Sequence, residues 1–204
     1  MDLTTMRANV AADLDDAGHV TWSTDELDRA IARALSGYSE ACPRRAETTL
    51  LLSGAGREVD LSSISGLAGV ERVWYPYDAG APDWPPRWRC FELWPDGTLF
   101  LAVPEEPAAG ESVRIFYWMA HTLDGLGGAT ETSLPTEDEE TVALGAAGFA
   151  ALEKARGAVG SLQVSGYTPL QWKEWAEGRL AAYEKRLAQA AGRRGLAESG
   201  PVQM

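Results

Sequence analysis

Two histidines, two cysteines and two acidic clusters are the side chains whose types could carry chemistry in this sequence. His19 and His121 lie far apart, and neither has a nucleophile at a spacing that would make a Ser–His or Cys–His pair. Cys42 and Cys90 allow one bridge at most. They fall in segments read as a helix end and a strand, and they lack the Cys-x-x-Cys spacing of redox or zinc sites. Asp13-Leu14-Asp15-Asp16 has the charge density of a cation loop but not the glycine and distal glutamate of an EF-hand, so it reads as a solvated helix end. Glu137-Asp138-Glu139-Glu140 could bind Ca²⁺ or Mg²⁺, yet a helix dipole favours negative charge in a first turn without any metal. Ser53-Gly54-Ala55-Gly56 has no Lys-Ser/Thr after it. Gly125-Leu126-Gly127-Gly128 has neither the strand–helix context nor the acidic partner of a nucleotide motif. No Gly-x-Ser-x-Gly, His-Glu-x-x-His or P-loop is present. Only a carboxylate pair assembled by folding is left open as catalytic machinery. The expectation is a protein that is not an enzyme and uses no cofactor or metal.

Recognition is the other chemistry on offer. Trp74, Trp84, Trp88, Trp94 and Trp118 crowd the middle of the chain. Such rings build a core, stack on sugars or bury against another subunit. Trp84 and Trp88 bracket Pro85-Pro86 in a loop and are candidate contacts with a partner or subunit. Trp172 and Trp175, on the stripe of the last helix, are a second such pair.

The bulk properties narrow the classes. At 204 residues with 45% apolar content, the chain can hold one large domain, or one domain with a smaller one inserted. No apolar run is long enough to span a bilayer, and residues 1–10 lack the apolar stretch of a signal peptide, so synthesis in a cytoplasm and no membrane are expected. A net charge of −12 repels a phosphate backbone, which disfavours nucleic-acid binding by charge neutralisation but is compatible with a channel wall past which DNA slides.

The elements that must position these residues read as α+β: a bundle of about four helices with a small antiparallel β unit inserted and an extended C-terminal tail. Leu3, Met6, Val10 and Leu14 space a short helix. In residues 22–43, Ser23 and Glu26 form a capping box, Trp22 can staple onto Leu27, and Leu27, Ala30, Ile31, Ala34, Leu35 and Tyr38 line one face until Pro43 ends the run. Residues 46–120 read as the β unit. Strands at 48–52 and 57–61 would join across Ser53-Gly54-Ala55-Gly56, and a hairpin would turn on Pro95-Asp96-Gly97. Residues 121–132 read as a flexible linker. Residues 133–191 return to the bundle, with a capping box Thr136-x-x-Glu139, a helix rich in Ala and Gly that needs a close neighbour, and a last helix capped by Thr168 and opened by Pro169 that runs about 35 Å. Residues 192–204 read as a docking tail that cannot fold alone.

The run Trp-Ser-Thr-Asp-Glu-Leu-Asp-Arg-Ala-Ile-Ala-Arg-Ala-Leu from Trp22, followed by Tyr38 and Pro43, resembles the first long helix of head-to-tail adaptor (connector) proteins of tailed bacteriophages. Leu134-Pro135-Thr136 before an acidic helix start is a second echo, and the order of elements matches over most of the chain. The resemblance implies a structural protein of the virion neck: a homo-oligomeric ring, commonly of twelve copies, beneath the portal protein. Such a ring extends the channel for DNA as passive cargo and offers a docking face to a downstream tail or neck protein. It also implies that the C-terminal segment docks on the portal. By position this assigns Arg193, Arg194, Leu196 and Val202 as portal contacts. The residues themselves leave two alternatives: a Trp-rich β module that binds a carbohydrate or polymer, and an uncharacterised enzyme.

Overall fold

The computed structural model describes residues 1–18, 20–157 and 169–198, with side chains through Arg194. His19, Thr168 and Val202 lie outside the described residues. The chain divides into a helical unit, Met1–Pro43 with His121–Met204, and a β unit, Arg44–Ala120.

In the helical unit, α1 (Leu3–Asp13) is capped by Asp2, whose carboxylate accepts the Thr5 N–H at 2.8 Å. α2 (Thr24–Ala41) carries the expected capping box, with the Ser23 N–H donating to Glu26 Oε2 at 2.8 Å and the Glu26 N–H donating to Ser23 Oγ at 3.3 Å. Its apolar face is buried as the spacing requires, from Leu27 to Tyr38. Trp22 is buried too. Its indole N–H donates to the Ala150 carbonyl at 3.3 Å, and its ring meets Trp172 edge-on at 5.1 Å, so it anchors the entry to α2 against two later helices.

α3 (Glu139–Gly157) packs against α1, α2 and α4 (Pro169–Glu198). The small residues of α3 permit this. A Cβ on Gly145 would lie 2.7 Å from the Tyr183 ring, and one on Gly148 would lie 2.9 Å from Leu180. The Thr136 capping box does not form. Thr136–Asp138 is a 3-10 turn without a side-chain cap, and Glu139 is buried with its carboxylate against the Met1 amino group.

The segment expected as a flexible linker is tied to the helices. Leu123 is fully buried, the Leu3 N–H donates to the Asp124 carbonyl at 2.9 Å, and the Thr132 hydroxyl donates to the Met1 carbonyl at 2.6 Å.

The β unit is one six-stranded antiparallel sheet, curled into half a barrel, in the order β1-β6-β3-β4-β5-β2. The strands are β1 (Arg44–Leu51), β2 (Glu58–Asp60), β3 (Leu67–Trp74), β4 (Trp88–Leu93), β5 (Thr98–Ala102) and β6 (Ser112–Met119). The expected β4–β5 hairpin is present, with Gly97 at φ 84° and the Thr98 N–H held by Asp96 at 2.9 Å. The expected hairpin across Ser53-Gly54-Ala55-Gly56 is not. β1 pairs with β6 and β2 with β5, at opposite edges of the sheet. The intervening chain instead bonds the 107–111 stretch: the Leu52 N–H donates to the Glu111 carbonyl and the Gly56 N–H to the Pro107 carbonyl. Val73, Leu99, Leu101, Val113 and Ile115 fill the inner face.

Two parts of the expected architecture are therefore corrected. The β portion is a large sheet with its own core rather than a small insertion in a bundle, because inward residues from all six strands meet in one cluster. The extended tail does not begin at Gly192: α4 stays helical to Glu198.

Candidate functional site

The densest set of titratable side chains lies where α2 ends. Tyr38 donates its hydroxyl to Asp138 Oδ2 at 2.6 Å, and Arg193 holds Asp138 Oδ1 at 2.6 Å. Arg194 donates to the Tyr38 oxygen at 3.0 Å and to the Cys42 and Pro43 carbonyls at 2.7 and 3.0 Å. His121 sits edge-on to Tyr38, with Nε2 3.0 Å from the Cys42 carbonyl and Nδ1 2.9 Å from the Ser133 carbonyl. Burial, reinforced by the bond to Asp138, raises the Tyr38 phenol well above its ordinary value, and burial likewise pushes the Cys42 thiol up.

What this arrangement can do chemically follows from where its atoms point. Each His121 nitrogen faces a backbone carbonyl, and the one nearer Cys42 meets its carbonyl oxygen. The thiol itself points toward the Leu187 carbonyl at 4.0 Å. A raised thiol is a poor nucleophile at neutral pH. The cluster is built to satisfy the carbonyls at the C-terminal end of α2, which a helix leaves without partners.

The acidic clusters are also absorbed by structure. Asp16 is buried and accepts the backbone N–H groups of Val20, Thr21 and Trp22 at 2.9–3.1 Å, rather than lying in a solvated helix end. Asp13 pairs with Arg179 at 2.5 Å. In the second cluster, Asp138 and Glu139 are buried and bonded, and Glu140 pairs with Arg186 at 3.1 Å. Among the described residues, no group of three or more His, Cys, Asp or Glu side chains is placed to hold a metal ion.

In the β unit the outer sheet face carries rings and arginines. The register aligns Phe116 with Arg72 and Glu47, Arg114 with Trp74, and Trp74 with Trp88. Trp88 meets Trp74 and Phe116 edge-on at 6.0 and 5.5 Å. Arg72 lies over Trp88, and Arg45 over Phe116, each at 5.5 Å. Trp84 differs from all of these, being 87% exposed in the stretch between β3 and β4.

No family model and no curated protein matches the chain. A solved structure described as "Neck of empty GTA particle computed with C6 symmetry" aligns with 86% of this chain and 88% of its own, at 15% identity and a TM-score of 0.32.

The residues singled out from sequence thus fall in different places. Trp84 is bare and Trp88 is 42% exposed but packed on its neighbours. Trp172 is half-buried against Trp22, and Trp175 is half-buried beneath the Arg179 guanidinium at 4.9 Å. Arg193 and Arg194 stand on α4 and bond their own chain. Leu196 is on α4 with its side chain outside the described set. The sequence reading missed Tyr38, Asp138 and His121 as a unit, since nothing in their spacing links positions 38, 121 and 138. It also missed Asp16, whose short loop to Trp22 was the available signal.

Proposed function

We propose that this chain is a structural virion protein that forms a ring joining the portal to the tail and extending the DNA channel, and that it works by contact rather than catalysis. The carrying observation is the distribution of large apolar side chains left in solvent: Trp84 at 87%, Leu51 at 72%, Leu170 at 61% and Leu93 at 43% exposed. Isolated apolar residues on a surface need no explanation, but a bare Trp between prolines has the profile of an interface anchor. The sequence resemblance to head-to-tail adaptors supplies the identity of the assembly. The engagement of His121, Asp138, Asp16 and Asp13 in holding backbone and neighbouring charges supports a structural use of groups that catalysis would need free. A sugar-binding reading is less favoured, because arginines lie over the rings of Trp88 and Phe116 on the sheet and leave Trp84 as a single bare ring rather than a stacking platform.

In this reading Trp84, Trp88, Trp172 and Trp175 contribute to contacts between copies, and the end of α4 with the residues after it meets the portal. Leu196 and Val202 are then its apolar anchors, while Arg193 and Arg194 set the direction in which α4 ends. Identical weak contacts repeated around a closed ring give strong total binding through effective concentration. Mass photometry and negative-stain imaging of the chain, alone and with portal protein, test this. Closed rings that co-purify with the portal are expected. A monomer that ignores the portal would end the proposal, as would turnover of a substrate by the purified chain.

A further inference from the structure

We propose that the Trp84 loop of one copy seats in the groove between α1 and α4 of a second copy of this chain, with Arg87 facing Asp15 and Glu174. The inference rests on the ring reading and names the contact that would build it.

Trp84 is left unexplained by the packing of its own unit, and the groove stays open although its Trp172 packs on Trp22 and its Trp175 on the Arg179 guanidinium. Trp84 is the most exposed aromatic side chain among the described residues. It stands within Pro82-Asp83-Trp84-Pro85-Pro86-Arg87, where the proline rings stiffen the backbone and lower the ordering cost of docking. The base of the loop is pinned, because the Tyr75 N–H donates to the Arg87 carbonyl at 3.2 Å and the Trp88 N–H to the Pro86 carbonyl at 3.1 Å. The side chain is therefore presented rather than trailing.

The groove holds about 380 Å³, at the small end of ligand pockets, which suits one large ring and an adjoining proline. Leu14, Trp172 and Trp175 give it apolar walls, and Asp15 and Glu174 stand on its rim. Neither rim carboxylate makes an ion pair among the described residues, whereas Asp13 beside them is committed to Arg179. Among the described residues Arg87 makes one ion pair, with Asp83 four residues away, at 2.8 Å with both side chains about half exposed. Such exposed pairs contribute little, so Arg87 can exchange partners at small cost. An aromatic anchor with a neighbouring cation thus fits an aromatic groove with an anionic rim. Because knob and groove are different segments of one chain, the contact is head-to-tail, which builds a ring where the rotation between copies closes and a filament where it does not.

The test uses the full chain. Trp84→Ala should raise the protein concentration at which mass photometry finds half the chains assembled by at least tenfold, with an unchanged circular dichroism spectrum. Arg87→Glu should weaken assembly, and Glu174→Arg combined with Arg87→Glu should restore part of it. In a Cys90→Ser background, chains carrying Ala81→Cys are mixed with heavier, tagged chains carrying Gly178→Cys and treated with a short bis-maleimide. The mixed-mass adduct is expected. If the wild type assembles and Trp84→Ala assembles equally well, or if only within-chain adducts form in a chain bearing both cysteines, the inference is overturned and the ring reading stands. If the wild type never assembles, with or without portal, both fall together.

Discussion

Gly145 is the position where a single methyl group tests the helical packing. Replacing a mid-helix glycine with alanine ordinarily stabilises by about 1 kcal/mol, because alanine loses less backbone entropy. At Gly145 the added Cβ would lie 2.7 Å from Tyr183 Cδ2 and 2.8 Å from Cε2, inside any normal contact. The ring cannot step aside easily. Its hydroxyl donates to the Ala34 carbonyl at 2.6 Å, Phe149 meets it edge-on at 6.0 Å, and Gly37 passes so close that a Cβ there would lie 2.8 Å from the same hydroxyl. Overpacking of this kind costs about 1–3 kcal/mol. Contacts this short against a pinned ring fall in the upper half of that range, about 2–3 kcal/mol, so net of the propensity gain Gly145→Ala should destabilise by about 1–2 kcal/mol, a fall of about 2–8 °C in the midpoint of thermal unfolding. Gly178 is the control: it lies on an exposed part of α4 with nothing within 4 Å of a Cβ. Gly178→Ala should raise the midpoint by about 2–4 °C. Circular dichroism at 222 nm during heating reads both, since it reports the helices. A Gly145→Ala midpoint at or above the wild type, beside a raised Gly178→Ala midpoint, would mean that α3 and α4 do not approach as closely as described.

Other consequences are equally direct. Asp138→Asn leaves a donor facing Arg193 or Tyr38 and should cost about 1.5–3 kcal/mol in urea unfolding, while Glu137→Gln, on the exposed neighbour, should cost almost nothing. Cys90, exposed, should react with a maleimide within minutes at neutral pH, and Cys42, buried with its thiol pushed up, only after denaturation; equal rates in the native protein would count against the packing around α2. The Ser23 backbone N–H and hydroxyl hold Glu26 below its usual range, so its contribution is present above the unfolded value and lost as pH falls through the folded one. Glu26→Gln should be less stable by about 0.3–1 kcal/mol at pH 7 and converge with the wild type as pH falls below the lowered folded value. Burial and the nearby Glu40 push the Tyr183 phenol up to about 12. Its contribution is therefore full below the unfolded value of about 10 and declines as pH rises toward 12, a decline that Tyr183→Phe should blunt in urea midpoints measured at pH 8 and 11.

What could be read from the chain without coordinates was local. Ser23 and Glu26 cap α2, Asp96-Gly97 turns β4 into β5, and the glycines of α3 announce a close neighbour because each signal is decided within a few residues. Pairing over distance was not legible. Ser53-Gly54-Ala55-Gly56 has the composition of a hairpin turn, yet β1 finds β6, more than sixty positions away, because hydrophobic register selects the partner and turn residues only permit a bend. The same limit hid the side chains around Tyr38. Asp138 reads as a dipole-matched helix start, and only the fold puts it against a tyrosine a hundred residues earlier.

That buried cluster also accounts for how a large sheet can be carried between two helices. The chain leaves the helical unit after Pro43 and re-enters it at His121. Within the helical unit, the two crossing points are joined directly: His121 contacts the Cys42 carbonyl, its N–H donates to Ser39 Oγ at 2.9 Å, and Arg194 bonds the Cys42 and Pro43 carbonyls. Within the β unit, the same two chain ends are paired again, Arg44 opposite Met119 at the start of the β1–β6 ladder. Each unit therefore closes its own side of the double crossing, so whichever unit forms brings together the two chain ends that the other must join, and the entropy of closing that loop is met once. Loss of the Arg194 contacts should then weaken the helical unit while leaving the β1–β6 pairing intact. Hydrogen exchange of Arg194→Ala would show this as faster exchange at the Cys42 and His121 amides, with the Ile115 amide unchanged. Equal acceleration at all three would mean that the two units melt as one.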